Sequence, residues 1–165
     1  MHDLTDEQKA GFFQRSYASV DGLWFMKVEE RYDFDTALEI DREVWKVLPK
    51  IQARTLKSMI DNGQGLDALR DALETKLSLE RFEFTVEQAD SGDAFTIFIT
   101  ECPWHNLMVK SGRKHLSKKI GDAICKTEFP IWANEFGGRI GFRMESQLCG
   151  DQDRCILRFF EERQE

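Results

Sequence analysis

Phe82-Glu-Phe84-Thr-Val86-Glu-Gln-Ala-Asp90-Ser-Gly92-Asp-Ala-Phe95-Thr-Ile97-Phe-Ile99-Thr100 is the stretch on which the fold class turns. Phe82, Phe84 and Val86 alternate with Glu83, Thr85 and Glu87, and Phe95, Ile97 and Ile99 alternate with Thr96, Phe98 and Thr100. A period of two sends one set to a buried face and the other to the opposite face, so both runs read as strands. Asp90-Ser-Gly92-Asp93 between them is turn chemistry and joins the strands as a hairpin. The alternation ends at Glu101-Cys102-Pro103, where proline has no N–H for a sheet ladder.

Before Leu79 the period is helical. Thr5 ahead of Asp6, Glu7 and Gln8 predicts a capped helix reaching about Tyr17. Ser19 and Asp21 offer fresh caps before Leu23, Trp24, Phe25, Met26 and Val28. Asp35 opens a third segment in which Leu38, Val44, Trp45, Leu48, Ile51, Leu56 and Met59 follow the helical period, with Pro49 as a kink. Asn62-Gly63 and Gly65 end it, and Leu66, Leu69, Ala72, Leu73 and Leu77 mark a fourth helix.

Beyond the hairpin, a helix is expected from about Arg113 to Phe136, with Leu116, Ile120, Ile124, Ile131 and Trp132 inward. Pro130 either bends it or begins a new segment, and Gly137-Gly138 ends it. Ile140, Phe142 and Met144 alternate with Gly141, Arg143 and Glu145, and Leu157 and Phe159 flank Arg158, which gives a second hairpin. The order predicts one α+β domain over 1–165, helical over 1–78 and hairpin, helix, hairpin over 79–165, with the helices packed on an antiparallel sheet.

A chain of 165 residues, 41% hydrophobic and 32% charged, has the material for one core and too much apolar content for disorder. Its net charge of −7 opposes a phosphate backbone, so no nucleic-acid partner is expected. No apolar run has the roughly 18 residues of a membrane span, and the start lacks the order of a secretory signal, which predicts a cytoplasmic protein without a membrane partner.

The sharpest local feature is Cys149-Gly-Asp-Gln-Asp-Arg-Cys155 at the turn of the second hairpin. If 150–154 form the loop, the two cysteines face each other at its neck, where opposed Cβ atoms lie about 4.5–5.5 Å apart. Thiolates about 2.3 Å from a tetrahedral zinc stand close enough to that spacing for the neck to bind a metal, and the same neck can close a disulfide. Cys102-Pro-Trp-His105 places an imidazole three residues from a thiol at the end of the second strand. Cys125 lies beside the core-facing Ile124, where a buried small hydrophobe is the alternative to a ligand. Lys110, Arg113, Lys114, Lys118 and Lys119 form one basic stretch, either a solvated face or a dock for an acidic partner. Glu145 is either an acceptor near Cys149 or a solvent-side residue.

The segment Phe142-Arg-Met-Glu145-Ser-Gln-Leu-Cys149-Gly-Asp151-Gln-Asp-Arg-Cys155-Ile-Leu-Arg-Phe159, with Cys125 on the preceding helix, resembles the closing pattern of the 4-vinyl reductase domain family. That resemblance covers about Leu79 to Glu162. It implies the fold of the haem nitric-oxide sensors and Golgi-transport subunits, a ligand-binding domain with helices on an antiparallel sheet. The first half, with Ser19-Val-Asp-Gly-Leu-Trp-Phe25, is similar to an uncharacterised group of anaerobe proteins distantly related to aminothiazoline-carboxylate hydrolase-like proteins. The resemblance implies a small-molecule or metal-binding pocket between helices and sheet.

The resulting expectation is a cytoplasmic sensor or binding domain in which Cys102, Cys125, Cys149 and Cys155 hold zinc or iron beside an apolar small-molecule pocket, with His105 as a further ligand or pocket residue. Its rivals are a hydrolase of a small heterocycle using Cys102 as nucleophile and His105 as base, and a structural interaction module whose cysteines are simply buried. No flavin or nicotinamide motif supports reduction. Phe12, Phe13, Leu23, Trp24, Phe25 and Met26 supply more apolar surface than short helices need, which predicts a homodimer.

Overall fold

The Thr5 hydroxyl accepts the Gln8 N–H at 3.2 Å while Gln8 Oε1 accepts the Thr5 N–H at 2.8 Å, and this reciprocal box starts α1 (Asp6–Arg31). The computed structural model describes residues 2–60 and 63–162. α1 runs unbroken through Ser19 and Asp21, contrary to the expected new helix there. The reason is local: no proline or glycine cluster follows Tyr17, and a cap residue inside a continuing helical period does not by itself end the helix.

α2 (Phe34–Trp45) is capped by Asp33, whose Oδ1 accepts the Thr36 N–H at 2.7 Å, with Asp35 already inside the first turn. The single long helix expected from Asp35 is two, because the chain turns at Lys46 and Val47 before α3 (Leu48–Ile60). Pro49 therefore starts a helix rather than kinking one, at a position where its missing N–H has no partner to lose. Gly63 and Gly65 adopt the left-handed region ahead of α4 (Leu66–Leu79), as expected; Asn62 lies outside the described residues.

The chain divides into two compact units, residues 1–41 and 42–165. In the first, Phe25 meets Phe34 edge to face at 5.7 Å, and Phe12, Phe13, Leu23 and Trp24 stand exposed. The second holds the sheet, and the change from helix to strand expected near Leu79 falls within it, between Leu79 and Glu83.

The second unit is α+β. β1 (Glu83–Gln88) and β2 (Ala94–Glu101) make the first hairpin, and β3 (Ile140–Ser146) and β4 (Cys155–Glu161) make the second. The strand order is β1-β2-β4-β3, every pair antiparallel, so the hairpins join through β2 and β4. Two helices, not one, separate them: α5 (Pro103–Lys110) and α6 (Lys114–Phe136). Pro103 occupies the first position of α5, so the residue that stops the strand also starts a helix. Pro130 lies within the continuous α6.

Phe95, Ile97, Ile99, Leu157 and Phe159 line the inner face of the sheet and bury against Leu69, Leu73 and Leu77 of α4 and Phe129, Trp132 and Phe136 of α6. Phe95 and Phe159 stack at 4.9 Å across β2 and β4. Each such side chain contributes about 1.5–3 kcal/mol by leaving water, which makes this layer the main source of stability. Of the residues expected inward on α6, Ile124 and Trp132 are buried, whereas Leu116, Ile120 and Ile131 are half-buried. Among the described residues no helix is long and apolar enough to cross a membrane.

A candidate thiol site between the sheet, α5 and α6

β2 and β4 pair with Ile99 opposite Cys155, which puts Cys155 on the inner face at the first position of β4. Three residues past Ile99, Cys102 leaves the end of β2 as the residue that caps α5. The register thus carries two cysteines far apart in sequence to one end of the sheet. Cys125 comes to the same place from α6, and Cys149 comes from a short 3-10 helix, Leu148–Gly150, inside the β3–β4 loop.

The expected opposition of Cys149 and Cys155 at the hairpin neck is corrected. The last β3–β4 pair is Ser146 with Ile156, so Cys149 lies inside the loop and faces no strand partner. The loop is nevertheless tied to β4 next to Cys149: the N–H of the preceding Leu148 donates to Cys155 Sγ at 3.3 Å. All four thiols are free.

α6 is shaped for these thiols. Ser117, Gly121 and Cys125 follow one another at intervals of four residues and share a helix face. At Gly121 a Cβ would stand 2.5 Å from Cys149 Sγ, so the absent side chain is the space the sulfur occupies. One turn before it, the buried Ser117 Oγ shares a 2.8 Å hydrogen bond with His105 Nδ1 and ties α5 to α6. His105 is thereby fixed beside the site with one ring nitrogen already engaged.

Burial and the neighbouring groups set the acidity of each thiol. Burial, first of all, pushes Cys102 up to about 12; the Cys155 and Cys149 thiols push the same way, and the backbone N–H groups of His105 and Trp104 offset part of it without closing a capping hydrogen bond. Cys125 is raised well above the usual thiol range by burial, then by Cys102, Glu128, Cys149 and Cys155. Burial, Cys155 and Asp122 raise Cys149, and Lys118 draws it partly back. Burial raises Cys155, and the Leu148 N–H works against it. Each thiol thus resists ionising, and for Cys102, Cys125 and Cys149 neighbouring thiols add to that resistance.

Among the described residues no group of three or more His, Cys, Asp or Glu side chains is spaced to hold a metal ion as it stands. The donor set is nonetheless of the right kind, since sulfur ligands suit zinc and iron. One buried polar atom at the site lacks a partner: Nε2 of Gln147, 3.8 Å from the position of the absent Gly121 Cβ.

Residues 10–155 match the pattern of a family of unknown function. The chain belongs to the DUF6125 family. The DUF6125 match spans most of the chain and takes in His105 and all four cysteines, ending on Cys155. No curated protein matches the chain.

Two members of the basic stretch pair within the DUF6125 chain itself, Lys114 with Asp151 at 3.0 Å and Lys118 with Asp122 at 2.6 Å, and Lys126, further along α6, also pairs with Asp122 at 2.8 Å. Glu145 is exposed. The sequence reading missed Ser117, Gly121 and Gln147; the spacing of 117, 121 and 125 was the available signal, and it has meaning only once Cys149 is known to approach that face. It also missed a buried ion cluster near the site. Lys76 of α4 lies 2.7 Å from Glu80 and 2.8 Å from Glu128, the last one turn beyond Cys125 on α6.

Proposed function

We propose that Cys102, Cys125, Cys149 and Cys155 hold one metal ion, zinc or iron, in a small binding or sensor domain. The observation that carries this reading is the convergence of four partly buried thiols from β2, α6, the 3-10 helix and β4, with the Cys149 sulfur seated in the space left by Gly121. Burial first, and neighbouring thiols second, keep these groups protonated; a cation would offset both by supplying the positive charge that makes four thiolates tolerable in a half-buried site. The Leu148 N–H on Cys155 supports its thiolate, as such donors do around metal–sulfur centres. His105, with Nδ1 engaged by Ser117, orients α5 rather than completing the shell.

The raised thiol weighs against the hydrolase reading: a Cys102 thiol pushed up to about 12 is a poor nucleophile, and the His105 ring bond is to Ser117, through Nδ1. A small ligand has a candidate location in a cleft of about 750 Å³ where α4 begins and α6 ends, walled by Leu66, Phe136 and Ile140 together with Asp93, Arg139 and Glu161; none of the four cysteines lines it, so it is not the pocket expected beside the metal. The exposed aromatic residues of α1 support self-association as a homodimer.

Elemental mass spectrometry on protein purified without oxygen tests the metal reading. One zinc or iron per chain, lost in Cys125→Ser and Cys149→Ser, is expected; protein without stoichiometric metal contradicts it. A visible absorption spectrum separates the two metals, because zinc thiolate is colourless.

A further inference from the structure

The outer face of the sheet, opposite the thiol site, carries a second feature. Arg143 of β3 stands directly across from Arg158 of β4, and both side chains are exposed. Directly opposed residues have Cβ atoms about 4.5–5.5 Å apart, and like charges set opposite one another in this way are destabilising. Among the described residues no carboxylate closes on either guanidinium. Two residues along β4, Phe160 pairs with Gly141 on one side and Ala94 on the other. Its ring lies across the glycine: a Cβ at Gly141 would meet the ring edge at 2.5 Å. The ring therefore lies low over the sheet, with Arg143 Cζ over it at 5.9 Å from its centre, so ring and guanidinium together form one flat surface.

These groups open into one cleft of about 490 Å³, where Arg143, Arg158 and Phe160 are joined by Asp93, Glu161 and Glu162. That volume suits a small organic molecule rather than a simple ion. We propose that this cleft binds a nucleoside monophosphate. The paired guanidiniums take the phosphate, since two forks matching one dianion remove the repulsion between them. The low-lying Phe160 ring stacks on the base. The carboxylates lining the cleft accept from ribose hydroxyls or an exocyclic amine. The basic groups of the cleft are only Arg143 and Arg158, enough for one phosphate and too few to follow a continuing backbone, which favours a single nucleotide over a nucleic-acid strand.

Calorimetric titration of the full chain with AMP, adenosine, inorganic phosphate and a short oligodeoxyadenylate tests this. Saturable AMP binding is expected, tighter than that of adenosine, phosphate or the oligomer. The double variant R143Q/R158Q weakens it about tenfold or more. T96E, which places a carboxylate on β2 beside Arg158, weakens it comparably while leaving both arginines in place. Because Arg143 and Arg158 are exposed, unchanged melting of R143Q/R158Q verifies the fold. The proposal is overturned by absent AMP binding at millimolar concentration, by AMP affinity unchanged in both variants, by phosphate binding as tightly as AMP, or by tighter binding of the oligomer.

Discussion

Gly121 and Cys149 interlock: the sulfur of one lies where the side chain of the other would begin, 2.5 Å from the position a Cβ would take. In an ordinary helix interior, Gly→Ala stabilises by about 0.5–1 kcal/mol. Gly121→Ala is expected to reverse that sign, lowering the melting temperature and abolishing stoichiometric metal, because Cys149 must move. Circular dichroism with elemental analysis checks both; a stabilised variant that keeps its metal would show that the contact is incidental.

Gln147 should separate stability from binding. Its Nε2 is buried without a partner, and such a group costs about 1–3 kcal/mol. Gln147→Leu is therefore expected to raise the stability of the metal-free protein in urea while weakening zinc binding in a chelator competition. Stability and affinity changing in the same direction would argue against a role for the amide at the site.

The pH dependence follows from the raised thiols. A thiol whose folded pKa lies above the ordinary 9.0 keeps its proton in the fold longer than in the unfolded chain. Metal-free protein then loses stability as pH rises from about 9 toward the folded value, about 12 for Cys102. Metal affinity moves the other way, rising with pH about tenfold per unit for each proton released. Thermal melts from neutral to alkaline pH, with and without zinc, should diverge; parallel curves would contradict the account.

Lys76 lies between Glu80 and Glu128 in a buried cluster linking α4 to α6. Lys76→Met leaves two buried carboxylates uncompensated and is expected to cost about 3–5 kcal/mol, whereas Lys76→Met with Glu80→Gln and Glu128→Leu recovers most of it. Urea unfolding of the single and triple variants measures the difference, and equal losses in both would show that the charges are not the issue.

The two hairpins are legible because Phe82 to Glu87, Phe95 to Thr100, Ile140 to Glu145 and Leu157 to Phe159 alternate, and period two has one geometric meaning. Their partnership is not: that Ile99 faces Cys155 depends on pairing between strands over 50 residues apart, which no local pattern encodes. Setting Cys149 and Cys155 at a neck assumes a short loop, whereas a 3-10 turn within 147–154 takes Cys149 to α6 instead. α5 escapes notice because Pro103, taken by itself, marks only the end of a strand. Ser19 and Asp21 mislead in the opposite way, since cap residues mark a helix start only where the backbone departs from the helix.

The number of sulfur atoms bound to the metal tests the central claim most directly. X-ray absorption at the metal edge of the purified protein is predicted to show four sulfur ligands, at about 2.3 Å for zinc, falling to three or to metal loss in Cys102→Ser and unchanged in His105→Ala. A first shell of nitrogen and oxygen, or a sulfur count that drops in His105→Ala but not in Cys102→Ser, would contradict it.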